Sequence, residues 1–290
     1  PGWTSYRKHL CFQTYEVTDY LKEGKNAAGA VLAAGWYKGK MGFEGLEKRR
    51  NHYGENTALL AQMVIRYEDG TEELFVTDES WSGADAPVVF AEIYDGEIYD
   101  GAKEIKGWSE AGCTAGQWKP VRKLDYDFSV LTGQGSGKVS LMDEVKPKEI
   151  FETPEGDLVI DFGQNMSALI QVTATGKKGD VIRLDCFEVL DSKGNVYLDN
   201  LRGAKESLQY TFGEDGTITY RPSFTFMGFR YAKIVSFPGT PEPGNFIAHA
   251  IHTNMERTGF LETSNPDLNQ LAHNILWGLK SNFVDVPTDC

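Results

Sequence analysis

The chain has 290 residues, 41% of them apolar, and a formal net charge of −13. That composition supports one or two ordinary cores and excludes a disordered chain, and no apolar run reaches the roughly eighteen residues of a membrane-spanning helix. The acidic balance opposes nucleic-acid binding, which needs Lys and Arg to displace counterions, and better suits a neutral ligand such as a sugar.

The opening Pro1-Gly2-Trp3 resembles neither a signal peptide nor a start methionine, so the sequence reads as beginning inside a longer chain. Cys11, Cys113, Cys186 and Cys290 are scattered without C-x-x-C spacing. They read as reduced thiols of a cytoplasmic protein, or as small buried residues.

From Pro1 to about residue 125 the pattern is short strands between turn residues, beginning with Phe12, Tyr15 and Val17. Thr18–Asn26 reads as one helical turn, capped by Thr18 or Asp19 and closed by a left-handed Gly24, and a strand is expected over Ala27–Trp36. Met41–Asn56 is a polar loop, and Asp69-Gly70 between two alternating runs predicts a hairpin of Leu59–Tyr67 with Glu73–Thr77. The one internal repeat, Glu92-Ile93-Tyr94-Asp95-Gly96 then Glu97-Ile98-Tyr99-Asp100-Gly101, has an odd period, so equivalent residues of an extended segment face opposite ways. Its two Asp-Gly pairs favour turns over one continuous strand. Tight turns with solvated carboxylates produce such spacing more often than a calcium or sugar site does.

Residues 126–147 read as a linker or crossing strand, and a second module follows over 148–254. Its predicted strands are Leu158–Phe162, Leu169–Thr175, Val181–Glu188, Leu208–Phe212, Thr217–Tyr220, Phe224–Phe226, Tyr231–Phe237 and Ile247–Thr253. Many short strands at close spacing predict a β-sandwich. His249 and His252, three apart on a strand, face opposite ways, so no metal site is expected from them. The period then changes: Leu268, Leu271, Ile275, Leu276 and Leu279 mark an amphipathic helix within 264–283. Asn265 caps it, Pro266 takes its first position and Asp267 faces the positive end of its dipole.

Several phrases in order, Gly35-Trp36-Tyr37-Lys38-Gly39, Asp161-Phe162-Gly163-Gln164-Asn165-Met166, Gly228-Phe229-Arg230-Tyr231 and Val286-Pro287-Thr288-Asp289-Cys290, resemble the bacterial α-L-rhamnosidases of glycoside hydrolase family 78. The resemblance covers nearly the whole chain. It implies a mostly β fold of two β-sandwich modules, an incomplete jelly-roll (1–125) and a concanavalin-like domain (148–254), followed by the first helix of an (α/α)6 catalytic barrel (255–290). The family hydrolyses terminal α-L-rhamnosides with inversion, using a general acid and a general base. Neither maps onto this sequence, so the chain alone is expected to be inactive and to need the rest of the barrel as its partner. By the resemblance Asp289, and less directly Asp285, match positions at the barrel mouth that contact the sugar; a helix-end cap or turn residue is the equal alternative for Asp289. Rhamnosidase modules that the first module resembles can act as calcium-assisted rhamnose-binding domains. The candidates for such an accessory site are Trp36, Tyr37, Tyr53, Tyr94 and Tyr99 as stacking faces with Asn51, Glu92 and Asp95 as polar partners, calcium being its one conceivable cofactor. The alternative class is therefore a non-catalytic rhamnose-binding module, and the third a scaffold without ligand. The sequence departs from the family's pattern at Ala33-Ala34, Ala168-Leu169 and Met227. An uncovered leucine stripe on the last helix predicts either association of copies, as in a homo-oligomer, or fraying of the helix.

Overall fold

A computed structural model describes residues 2–41, 49–135 and 137–288. The first 135 residues hold short pieces: β1 (Leu10–Phe12), α1 (Gly35–Lys38), β2 (Gln62–Arg66), β3 (Glu72–Val76), β4 (Ser82–Gly83), β5 (Val88–Glu92), β6 (Gly96–Asp100), β7 (Lys119–Pro120) and β8 (Leu131–Gly133). Three two-stranded ladders, β2–β3, β4–β7 and the parallel β1–β8, make up most of this part. The β2–β3 hairpin forms where Asp69-Gly70 predicts it, with Asp69 Oδ1 accepting from the Thr71 N–H at 2.9 Å and Gly70 at φ +83.

The remainder comprises β9 (Val139–Val145), β10 (Glu149–Glu152), β11 (Leu158–Gly176), β12 (Val181–Phe187), β13 (Ser207–Thr211), β14 (Gly216–Tyr220), β15 (Met227–Ser236), β16 (Phe246–Thr253), α2 (Pro266–Asn282), β17 (Phe283–Val284) and β18 (Val286–Pro287). A ten-stranded sheet runs β5-β6-β13-β12-β15-β11-β16-β9, with β10 and β14 also paired to β11. The sheet curls because β11, 19 residues long, holds four partners and bends at a register shift between Asp161 and Met166. At that bulge Gly163 adopts φ +74 and its N–H donates to Asp161 Oδ1 at 2.6 Å. Inside the curl, Ile160, Ile170, Leu184, Phe212, Met227, Phe229 and Phe246 form a fully buried core. The fold is mostly β, a curled sheet followed by a C-terminal helix, as expected.

Four local expectations are corrected. Leu158–Phe162 and Leu169–Thr175 are one strand rather than two, because the bulge bends the ladder without ending it. Phe224–Phe226 is not a strand, since the Ser223 and Phe224 N–H groups donate to the Glu97 carboxylate at 3.0 and 2.8 Å instead of to a ladder. Ala27–Trp36 is not a strand either: residues 27–34 have no ladder partner among the described residues, and Gly35 at φ +49 leads into α1. The turn at Thr18–Tyr20 is capped by Glu16, whose carboxylate accepts from the Thr18 N–H and hydroxyl, and not by Thr18 or Asp19. Gly24 is left-handed, at φ +89. The loop expected over Met41–Asn56 lies partly outside the described residues.

Candidate functional site

The first unit gathers its aromatic candidates around α1. Consecutive helical positions point Trp36 and Tyr37 to different sides. Trp36 meets Tyr94 edge to face, centroids 5.6 Å apart. On the other side the chain returns along α1: the Asn51 N–H donates to the Lys38 carbonyl at 2.9 Å, with Asn51 at φ +59, and the Tyr53 N–H donates to the Tyr37 carbonyl at 3.3 Å. Tyr53 is thereby stacked 6.2 Å from Tyr37 and lies tilted against Tyr6 at 4.8 Å, and its hydroxyl accepts from Trp3 Nε1 at 2.9 Å. Tyr6, Tyr37, Tyr53, Arg7, Tyr126 and Asp127 line an open cleft of about 180 Å³. Burial, and then the neighbouring Tyr53, push the Tyr6 phenol up to about 12, so its hydroxyl remains a donor throughout the neutral range.

The carboxylates lie elsewhere. Gly39 lets Lys40 turn inward, since a Cβ there would stand 2.5 Å from the Gly35 carbonyl oxygen. Lys40 Nζ then lies 3.0 Å from Asp95 Oδ1 and 2.7 Å from Oδ2. Arg50 pairs with Glu92, and its second terminal nitrogen is 3.9 Å from Asp95 Oδ2. Lys40, Glu92 and Asp95 are 6%, 3% and 4% exposed, so this is a buried ion cluster.

The predicted accessory set therefore divides. Tyr37 and Tyr53 share the cleft, Trp36 and Tyr94 form an edge pair, and Glu92 and Asp95 are consumed by cations. Asn51 contributes its backbone, and its side chain is exposed. Tyr99, on β6, faces the curled sheet, stacked 5.2 Å from Tyr210 and donating to Glu104 at 2.8 Å. The second copy of the repeat supplies Glu97, which is 1% exposed and accepts from the Tyr220 hydroxyl at 2.6 Å besides the two N–H groups already named. Sequence reasoning missed Lys40, Arg50, Tyr6 and Arg7. Lys40, just before the Met41–Asn56 loop, and Arg50 within it were the available signal for the cluster.

Asp285 sits at the β17–β18 turn with φ +80. Its N–H donates to Thr253 Oγ1 at 2.9 Å, and its carboxylate accepts from Gln134 Nε2 at 3.1 Å beside Gly2. It thus joins the chain's beginning to the start of the last segment. Asp289 lies outside the described residues. The two central phrases meet one another: Arg230 donates through Nε and a terminal nitrogen to the two Asp161 oxygens, each at 2.8 Å, and Phe162 packs edge-on against Phe229. Burial opposes ionisation of Asp161, but Arg230 and the Gly163 N–H outweigh it and hold the carboxyl below its usual range. These phrases build the bulge of the curled sheet. His249 and His252 are buried, 3.8 Å from Glu144 and 3.9 Å from Asp143, and burial lowers the His249 pKa. Among the described residues no three His, Cys, Asp or Glu side chains are placed to hold a metal.

Comparison with known proteins accounts for nearly the whole length. Residues 1–143 match the α-L-rhamnosidase N-terminal domain, 151–252 the bacterial α-L-rhamnosidase concanavalin-like domain, and 256–290 the bacterial α-L-rhamnosidase six-hairpin glycosidase domain. The chain belongs to the bacterial α-L-rhamnosidase family. An α-L-rhamnosidase of Streptomyces avermitilis is 40% identical across all of this chain, which spans 28% of that relative's length. The crystal structure of an Aspergillus terreus α-L-rhamnosidase superposes with a TM-score of 0.92 at 36% identity, covering 100% of this chain and 34% of that one. That of the Streptomyces avermitilis enzyme complexed with L-rhamnose gives 0.91 at 38%, covering 100% and 28%. In this chain the six-hairpin match begins just after β16 and takes in all of α2.

Proposed function

We propose that the chain is the β-rich part, with the first barrel helix, of an inverting α-L-rhamnosidase that hydrolyses terminal α-L-rhamnosides. The observation that carries this reading is the order of three rhamnosidase domains along one chain, the last represented by 35 residues only. Inversion needs two carboxyl groups about 6.5–9.5 Å apart with water between them. In this reading they belong to the remainder of the six-hairpin domain, and the chain by itself hydrolyses nothing. Its own contribution is to brace that domain: Ser281 on α2 meets Ser167 of β11, and Lys280 donates to Asp143 of β9 at 2.6 Å.

The test is hydrolysis of 4-nitrophenyl α-L-rhamnopyranoside by this chain and by a longer chain that completes the barrel, with NMR identifying the anomer released first. The expected results are no turnover by the short chain and β-L-rhamnose from the long one. Turnover by the short chain would refute its inactivity, α-L-rhamnose appearing first would refute inversion, and an inert long chain would refute the enzymatic reading.

The tyrosine cleft favours a second role, sugar binding by the first unit. Its open, mixed lining suits the apolar face and hydroxyls of a deoxy sugar. Calorimetric titration with L-rhamnose that shows binding lost in Tyr37→Ala would support it, and no heat at millimolar sugar would leave this unit a brace.

A further inference from the structure

The resemblance directs a search for calcium to Glu92 and Asp95, and the surroundings of these carboxylates do not fit it. Calcium takes about six to eight oxygen ligands at about 2.3–2.6 Å, and carboxylates that bind it must be free of other cations. Here one ammonium, that of Lys40, bridges both oxygens of Asp95 at 3.0 and 2.7 Å from within the protein. The Arg50 guanidinium covers Glu92 and reaches toward Asp95. Two carboxylates are balanced by two fixed cations, so an added divalent ion would meet two positive charges in a site largely closed to water. Glu92 Oε2 is the one oxygen of the four without a partner among the described residues, and a single oxygen does not hold calcium.

We propose that Lys40 is a built-in substitute for a divalent cation, making the first unit independent of calcium. The ammonium does mechanically what a bound ion would do. It ties the second residue after α1 to the turn between β5 and β6, while Arg50 ties the returning segment to the same turn. Both cations flank residues 42–48, and the Met41 N–H donates to the Arg49 carbonyl at 3.3 Å between them. The inference rests on the carboxylates and their partners alone, and holds whether or not this unit binds sugar.

Two measurements test it. Calcium is titrated calorimetrically into the chain and into its Asp95→Asn variant, and thermal unfolding of the chain and of Lys40→Met is followed in chelator and in millimolar calcium, with magnesium as control. The unsubstituted chain is expected to give no heat that Asp95→Asn removes, and the same melting temperature with and without calcium. Lys40→Met leaves Asp95 buried beside a gap, so it should melt lower in chelator and regain part of the loss in calcium but not in magnesium. Stoichiometric calcium binding by the unsubstituted chain that vanishes in Asp95→Asn would overturn the proposal. A folded Lys40→Met chain indifferent to calcium would equally overturn the idea that the ammonium fills a cation position. If Lys40→Met does not fold, the titration of the unsubstituted chain decides alone.

Discussion

At the scale of residues, Glu206 is the group most out of keeping with its surroundings. Its Oε2 is sealed from water without a partner among the described residues, and burial, then the charge of Glu188, push its pKa from 4.5 up to about 8. Glu188 stays solvated by amides, accepting from Asn165 at 3.0 Å and Asn200 at 2.9 Å. Because the folded-state pKa lies above the unfolded one, the folded chain binds the extra proton between those values. The stabilisation is complete below the ordinary glutamate range and is lost as pH rises toward 8 and beyond, at up to about 1.4 kcal/mol per pH unit. Glu206→Gln should remove that slope, so denaturant titrations should show the variant gaining on the parent steadily from pH 5 to pH 9 or so; parallel curves would refute the assignment. No sequence signal marks this residue. The crossing of chains that brings Glu206 beside Glu188 is set by the β12–β13 register, which no local pattern encodes. The Asp161 and Arg230 phrases were legible as a family match, but their pairing across the β11 bulge was visible only in three dimensions.

At the scale of elements, α2 was legible almost to the residue, because its start rests on local chemistry: Asn265 Oδ1 accepts from the Asp267 N–H at 2.9 Å and Pro266 takes the first helical position. Which side it buries was not. Leu268, Leu271, Ile275 and Leu279 are 49%, 53%, 62% and 46% exposed, while Trp277 packs on the sheet core and carries Lys280 4.6 Å above its ring. The periodic stripe does not face this sheet, and only Leu276 of the predicted set turns inward. Two substitutions separate the faces. Trp277→Ala should cost about 2–4 kcal/mol by emptying a packed site, whereas Leu271→Ser with Ile275→Ser should leave unfolding within about 0.5 kcal/mol. Light scattering should then show that the double serine variant associates less than the parent chain, since the exposed leucine face is the surface through which copies would meet. Equal association of both would remove α2 as the contact.

At the scale of the molecule, stability is unevenly held. Nearly every buried apolar side chain lies between Ala91 and Ile251, and β2 and β3 contain no buried residue among them. The spacing of strands does not foretell that β5 and β6 join the curled sheet through the parallel pairing of β6 with β13. That junction is tight: a Cβ on Gly96, which has φ +99, would stand 1.8 Å from the Ser207 carbonyl oxygen, and one on Gly213 would stand 2.3 Å from the Gly101 backbone. Glu97, satisfied by Tyr220 and two backbone N–H groups of the second unit, anchors β6 from within. The earlier strands lack such anchors, so opening them exposes little apolar surface and costs little. Native-state hydrogen exchange should therefore find amides of β2 and β3 exchanging by local opening, while β6 is protected together with β11, β12, β13 and β15. Gly96→Ala forces both a left-handed alanine and a backbone collision, and should carry β6 from the protected group to the freely exchanging one while β11 keeps its protection. Exchange of β6 at the rate of β2 in the unsubstituted chain would show that the first unit is merely tethered to the second, and the sheet would then end at β13.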